Sequence, residues 1–529
     1  MREFNTTGLC VPRKHYMVDI SGRVAQMRAM VEHGDYFCVN RGRQYGKTTT
    51  LAALRRELAV DFAVTSLDFQ RLSGASFESE GAFVRGFCRM LLRLRGASPL
   101  PSQTRSSLQA LAGRDGREPA LDELFFVIED WIAESDLPVV LIIDEVDSAT
   151  NNQVFLDFLA QLRDQYLNRE EDVTYPAFRS VILAGVTGVK HLKAKIRPEE
   201  EHKTNSPWNI AADFRVDMSF SETDVAGMLA EYEADHTTGM DATSVAREIV
   251  EWTGGYPFLV SRVCQLVDEG GLDWDDTGVS EAIKALLSES NTLFDSLSGK
   301  LVNYPELKEE LRGLMMSGER IPYNPMRDDV AQLNMFSFVR RDDRNSVQVA
   351  NRVFETLLYD LFIGEEKTRG SRIYAEGDLG RSLYVRGGRL DMPAVLEGFR
   401  RAYVEVFGPP EDGERFCEDE GRKQFLLFLK PIINGTGNYY VEAQTRDRTR
   451  TDVVVDYAGE RFVVELKLWR GPAYNEAGEA QLAGYLESLG LDVGYLLTFS
   501  FRKTGKEPGK EPGLHRVETC GKLLWEEVV

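Results

Sequence analysis

The 529-residue sequence predicts an α/β chain in two parts. The first is a parallel sheet with helices on both faces, followed by a helical lid and a short hairpin; the second is a smaller αβββαβ domain. Three observations carry this. Residues 40–50 form a glycine-containing loop between an apolar strand and a helix, residues 138–147 form an apolar run that reaches two adjacent acids, and Asp452, Glu465 and Lys467 flank a tight chain reversal.

In the first loop, Asn40-Arg41-Gly42-Arg43-Gln44-Tyr45-Gly46-Lys47-Thr48-Thr49-Thr50 follows Tyr36-Phe37-Cys38-Val39 and opens a stretch with Leu51, Leu54 and Leu58 at helical spacing. Strand, loop and helix in that order make a phosphate-binding loop. Gly46 lets backbone N–H groups curl round an anion, and the helix start turns its positive dipole end towards the same place. Lys47 adds a point charge for the β- and γ-phosphates, and the Thr48 hydroxyl is a Mg²⁺ ligand. Gly42, Gln44, Tyr45 and Thr49 complete the set expected to contact the nucleotide. The usual pattern has glycine five residues before Gly46, where this chain has Arg41.

The run Pro138-Val139-Val140-Leu141-Ile142-Ile143-Asp144-Glu145 reads as a strand buried on both faces, with carboxylates at the C-terminal end, where parallel sheets bind ligands. Asp144 is placed to hold Mg²⁺ through water and Glu145 to orient or deprotonate an attacking water, as in a Walker B motif. Further strands are expected at 62–69, 178–186 and 214–220, and helices at 24–31 and 83–94, with a loop from there to Pro119. Thr187 reads either as a γ-phosphate sensor or as a plain strand-end threonine. Helices follow at 223–232, 242–252, 257–268 and 304–316. Two short strands around Asp342-Asp343-Arg344-Asn345 then suggest a winged helix, either a DNA reader or an intramolecular clamp; acids beside Arg340 and Arg341 favour the clamp.

Composition sets bounds on partners. Lys and Arg total 63 against 84 Asp and Glu, a net charge of −21, so nucleic acid could be held only by a local basic patch. Six cysteines without a C-x-x-C pair fit a reducing cytosol and argue against structural zinc. Neither a signal peptide nor an apolar run of about 20 residues is evident, so a cytoplasmic protein without a membrane span is expected.

Val11-Pro12, His15-Tyr16-Met17-Val18-Asp19, the arginine-flanked loop, Asp144-Glu145, Ser206-Pro207-Trp208-Asn209 and Thr253-Gly254-Gly255-Tyr256-Pro257-Phe258-Leu259 together resemble the AAA-like ATPases of bacteria and archaea, close to the STAND-type NTPases. The resemblance implies that Pro257 packs on adenine from a helical lid. Arg197 and Arg262 are the arginines considered for a finger acting across subunits. The expected domains are a P-loop ATPase core (1–220), lid (221–290), winged-helix-like region (291–363), linker (364–390) and C-terminal domain (391–529).

In the C-terminal domain, helices at 391–407 and 414–433 precede strands at 439–443, 451–457 and 461–469, a helix at 478–489 and a strand at 493–499. A hairpin that pairs Tyr457 with Glu460 also pairs Asp452 with Glu465. Directly opposed residues have β-carbons about 5 Å apart, so these acids repel unless one takes a proton or a cation lies between them. Lys467 shares the face of Glu465, and a Mg²⁺ held there with an ammonium beside the attacking water can cut a phosphodiester. This segment resembles the PD-(D/E)XK nuclease superfamily, whose fold is restriction-endonuclease-like. The resemblance implies that Asp452 and Glu465 are metal ligands, that Lys467 assists the nucleophile, that Gln481 orients the site, and that Glu418 or else Glu420 supplies a helical ligand. Arg446, Arg448, Arg450, Arg502, Lys503, Lys506 and Lys510 read either as a phosphate grip or as a mixed solvated surface.

The resulting expectation is an ATP- and Mg²⁺-dependent ATPase joined to a metal-dependent nuclease, with DNA favoured over RNA as partner and a homo-oligomer left open. The alternatives are an NTP-gated signalling switch with a non-cleaving nuclease-like domain, and a DNA-binding regulator.

Overall fold

The computed structural model describes residues 2–94, 100–114, 116–150, 152–186, 208–316, 321–368, 371–408, 418–441, 453–500 and 510–529. They form two compact units: Met1–Leu297 with Gln332–Ser337, and Ser298–Ala331 with Phe338–Val529.

The first unit runs α1 (Ser21–His33), β1 (Phe37–Asn40), α2 (Lys47–Leu58), β2 (Ala63–Asp68), α3 (Glu80–Leu92), α4 (Ser102–Ala112), α5 (Leu121–Glu134), β3 (Val139–Asp144), α6 (Gln153–Glu171) and β4 (Ser180–Gly185). Its strands are all parallel in the order β1-β4-β3-β2. Successive residues of a strand point to opposite faces, so an unbroken apolar run requires two cores. Val140, Ile142, Ile182 and Ala184 pack with Met27, Leu51 and Leu54 on one side. Val139, Leu141, Ile143, Val181 and Leu183 pack with Phe83, Phe87, Phe125 and Phe158 on the other. This arrangement puts the C-terminal ends of β1 and β3 on either side of β4 at one edge of the sheet, where the loop leading to Lys47 and the strand-end Asp144 lie.

Two expectations are corrected here. The stretch expected as a loop up to Pro119 contains α4, which buries Thr104, Leu108, Leu111 and Ala112. Residues 214–220 do not form a fifth strand. Ala212 makes a single bridge to Phe37, and beyond it side chains take the carbonyls a ladder would have used. Arg41 donates to Val216 O at 2.9 Å and Arg23 to Ser219 O at 2.7 Å, while Asp217 Oδ1 accepts from the Ser219 N–H. The alternating Phe214, Val216 and Met218 still pack on the sheet, which is why they read as a strand.

Four helices follow: α7 (Glu222–His236), α8 (Ala242–Thr253), α9 (Pro257–Gly270) and α10 (Asp276–Leu287). Ser221, Asp241 and Asp275 cap three of them, and Pro257 occupies the first turn of the fourth. Gly255 has φ 70°, and a Cβ there would lie 2.1 Å from Phe220 O, so this turn admits only glycine.

The second unit contains α11 (Pro305–Met316), the antiparallel pair β5 (Val339–Arg341) and β6 (Val347–Val349), α12 (Arg352–Thr368) and α13 (Arg372–Tyr384). The Asp342 carboxylate accepts from the backbone N–H groups of Arg344 and Ser346, so it shapes the hairpin turn. Then come β7 (Val385–Arg386), β8 (Arg389–Leu390), α14 (Met392–Phe407), α15 (Glu418–Ile433), β9 (Gly437–Val441), β10 (Val453–Tyr457), β11 (Glu460–Leu468), α16 (Pro472–Ser488), β12 (Val493–Phe499), β13 (Gly513–Thr519) and β14 (Lys522–Val528). The six-stranded sheet has the order β13-β14-β12-β11-β10-β9. It holds the expected αβββαβ order and adds β13 and β14, which the sequence reading omitted.

The stretch 364–390, expected as a linker, is mostly helix and hairpin. A Cβ at Gly377 would meet Phe428 O at 2.1 Å, so α13 packs its backbone directly on α15. Arg422 donates to the Tyr359 hydroxyl at 3.0 Å, and Lys430 and Tyr439 both reach Asp360, which fastens α12 to the same core. The compact units divide after Leu297, with Gln332–Ser337 returning to the first. Among the described residues no helix is long and apolar enough to cross a membrane.

Candidate functional site

The loop before α2 is built from backbone conformations that few residues adopt. Gly46 (φ 77°) and Gln44 (φ 57°) are both left-handed, turning the chain into the helix start. A Cβ at Gly42 would lie 2.7 Å from Ser337 Oγ and 3.1 Å from the Tyr256 hydroxyl, so any side chain near the loop's start has to push these groups aside. Arg41 occupies the position where glycine is usual and turns away from the loop. It bonds Asn40 O and Val216 O and lies over the Phe214 ring, 5.4 Å from its centroid.

Lys47 is buried and donates to Arg41 O and Gly42 O, each at 2.9 Å. Neither partner carries a charge, and desolvation lowers the lysine's pKa from its ordinary value. The Thr48 hydroxyl donates to Asp144 Oδ2 at 3.0 Å, joining the loop to the end of β3. Asp68 stands opposite Asp144 at the end of β2. Burial raises the pKa of Asp144 against the pull of the Thr48 hydrogen bond, and burial followed by the Asp144 charge raises that of Glu145. Glu145 is itself left-handed (φ 56°). Beyond β4, Val186 N–H donates to Asp147 Oδ2 at 2.6 Å; Thr187 lies outside the described residues.

Beside the loop lies a cavity of about 320 Å³. Gln44, Tyr45, Gly46 and Thr49 form one wall; Met218, Phe220, Met228, Pro257 and Phe258 form an apolar wall that includes α9; and the segment from Asn5 to Cys10 forms another. Tyr45 meets the Tyr256 ring edge-on at 4.5 Å, and Tyr256 donates its hydroxyl to Arg43 O. Thr49 Oγ1 accepts from Cys10 N–H at 3.2 Å, and Gln44 Nε2 donates to Thr292 Oγ1 at 2.9 Å. Sequence reasoning missed the Asn5–Cys10 segment, which has no motif, and Asp68, whose only signal was its place at a strand end. Arg262 bonds Glu289 and Gln265 and is committed to the lid, while Arg197 lies outside the described residues.

In the second unit, β10 pairs with β11 from Tyr457↔Glu460 to Val453↔Val464, the register expected from the sequence; Asp452 lies outside the described residues. Glu465 is 1% exposed, with Lys467 Nζ 2.7 Å and Gln481 Nε2 3.4 Å from its Oε1. A Cβ at Gly478 would lie 3.3 Å from Lys467 Cε, which shows how closely α16 covers this face. Glu418 accepts from the Leu468 backbone N–H at 3.2 Å, whereas Glu420 bonds Gln424 on its own helix. Glu418 thus contacts β11 through the Leu468 backbone. Across the sheet, Glu526 is fully buried and takes hydrogen bonds from Thr498 (2.8 Å) and Lys510 (2.5 Å), a pairing the sequence reading did not contain. Among the described residues no three His, Cys, Asp or Glu side chains group to hold a metal ion.

A family model for the AAA-like domain matches residues 14–360, which include the loop before α2, Asp144, Glu145 and Pro257 but not the Asn5–Cys10 wall of the cavity. The chain belongs to the AAA-like domain family. This AAA-like chain is 27% identical over 274 residues to an uncharacterised WD repeat-containing protein of Synechocystis sp., a match covering 50% of the chain but only 21% of that relative. Similar solved structures include a Walker-type ATPase of Pyrococcus abyssi, with 13% identity, a TM-score of 0.44 and coverage of 67% of this chain and 99% of that one. An ORC2 protein of Aeropyrum pernix, solved in ADPNP–ADP complexes, is also 13% identical, with a TM-score of 0.35 and coverage of 69% and 98%.

Proposed function

We propose that the AAA-like unit binds and hydrolyses ATP. The observation that carries this is the 3.0 Å bridge from Thr48 on the phosphate loop to Asp144, with Glu145 next in the chain. The donors are hard oxygens and fit Mg²⁺, which Thr48 and Asp144 would hold to neutralise phosphate charge. Lys47, held only by neutral carbonyls, keeps its charge for the β- and γ-phosphates. The apolar wall with Pro257 takes the base. Glu145, its pKa raised, accepts a proton from the attacking water while that oxygen bonds to the γ-phosphorus; the bond to the bridging oxygen breaks, and its electron pair leaves with ADP. Steady-state ATP turnover in wild type, Lys47→Ala and Glu145→Gln tests the reading. Retained ATP binding without turnover in Glu145→Gln is expected; equal turnover in all three overturns it.

A second reading concerns the C-terminal sheet, and its support is the Glu465–Lys467–Gln481 cluster. We read it, with Asp452 and Glu418, as a metal-dependent nuclease centre acting on DNA under ATP control, the β5–β6 hairpin being the wing of an intramolecular clamp. Incubating plasmid and single-stranded DNA with Mg²⁺ or Mn²⁺ tests it. Cutting that disappears in Lys467→Ala and Asp452→Ala supports the nuclease, and no cutting by wild type leaves the ATP-gated switch.

A further inference from the structure

ATP hydrolysis in phosphate-loop enzymes gains about 10³- to 10⁵-fold from an arginine that meets the charge developing on the γ-phosphate. In this chain most arginines near the site are already committed. Arg41 bonds Asn40 O and Val216 O, Arg23 bonds Ser219 O and Asp224, and Arg262 bonds Glu289. Arg43 differs. It is exposed, three residues before Gly46, and among the described residues no carboxylate or carbonyl engages its guanidinium.

Its backbone is nevertheless fixed. Tyr256 donates to its carbonyl, Gly42 before it packs under Ser337 and Tyr256, and Gln44 after it is left-handed and bonded to Thr292. The side chain thus leaves a rigid loop limb at the mouth of the phosphate site. Arg43 stands four residues before Lys47 on the same loop that joins β1 to α2, and its side chain is exposed there.

We propose that Arg43 is the catalytic arginine, supplied by the phosphate loop of the same chain: its guanidinium contacts the γ-phosphate oxygens and stabilises the charge that builds as the bond to the bridging oxygen breaks. This rests on the ATP-hydrolysing reading above. An arginine acting within the chain removes the need for a neighbouring subunit to complete the site. A planar fork on the phosphate's outer side complements Lys47, which reaches it from inside as a point charge.

The test uses the full chain and three readouts: turnover number, ATP affinity measured with a fluorescent analogue, and trapping of ADP with aluminium fluoride as a mimic of the transferring phosphoryl group. In Arg43→Ala, turnover falls about 10²- to 10³-fold, ATP affinity stays within about threefold, and trapping is lost. Arg43→Lys keeps the charge but not the fork and falls in between, and added guanidinium partly restores Arg43→Ala. Turnover in Arg43→Ala within about threefold of wild type overturns the assignment, as does equal loss of turnover, affinity and melting temperature, which marks a structural role. Restored turnover on mixing Arg43→Ala with Lys47→Ala chains overturns the same-chain assignment, because the arginine then acts between subunits. If wild type binds ATP but never hydrolyses it, the ATPase reading falls first and this one with it.

Discussion

Lys47 and Lys467 are both largely buried lysines near a carboxylate carried by a strand, yet they are satisfied in opposite ways. Lys47 is held by two neutral carbonyls, with Asp144 engaged by Thr48 instead. Lys467 is paired with a carboxylate that is 1% exposed. In the first centre the ammonium hydrogen-bonds only neutral carbonyls, with carboxylates nearby but not paired to it, and is available to an anion. In the second, the ammonium already neutralises Glu465, so a cation arriving there must share that carboxylate with it. The same residue types thus make different electrostatic sites, Lys47 opening a helix and Lys467 lying on a strand, and the difference lies in which partner each meets.

The largest way to break this contrast is Lys467→Ala. It removes the ammonium paired with a carboxylate that is 1% exposed, which costs about 3–5 kcal/mol. Urea unfolding followed by a probe in the C-terminal unit should show that loss, and Lys467→Met with Glu465→Gln should recover most of it. Lys47→Ala should behave differently: ATP turnover falls about 10²- to 10³-fold, while the melting temperature of the nucleotide-free protein stays level or rises, because a desolvated ammonium has been removed. A marked drop in that melting temperature would show that Lys47 is structurally paired after all.

A smaller effect is expected from Gly42→Ala. The added methyl meets Ser337 Oγ at 2.7 Å, and the crowding should cost about 1–3 kcal/mol and weaken ATP binding. Ser337→Ala should relieve part of it in a double-mutant cycle. The mildest test is pH. Asp144 and Glu145 have folded-state pKa values above those of the unfolded chain, so the stability they confer is complete below the ordinary carboxylate range and is lost as pH rises through the raised values. Mg²⁺ favours the charged forms, so its protective shift in melting temperature should grow with pH over the same window. A protective shift independent of pH there would remove Asp144 from the metal's ligands.

The phosphate loop, Asp144–Glu145 and the β10–β11 register were legible because each depends on residues close in sequence or on a period of two. What escaped depends on long-range exchange of partners. Residues 214–220 alternate like a strand, but Arg41 and Arg23, from far upstream, take their carbonyls. β14 was missed because Glu526 and Glu527 resemble a solvated end, whereas both are buried against Thr498, Lys510 and Arg400. The 364–390 stretch looked like a linker because glycine and charge are frequent there, but Gly377 is the point of closest helix packing.

Arg41 also bears on how such proteins are found. A search pattern that insists on glycine at the first position of the loop would discard this chain, although the loop keeps its curl through Gly42 and Gly46. The arginine there staples the loop's entrance to the strand-like segment ending near Phe220, next to the lid. Restoring glycine at that position would make the motif look more ordinary while cutting the tether between them.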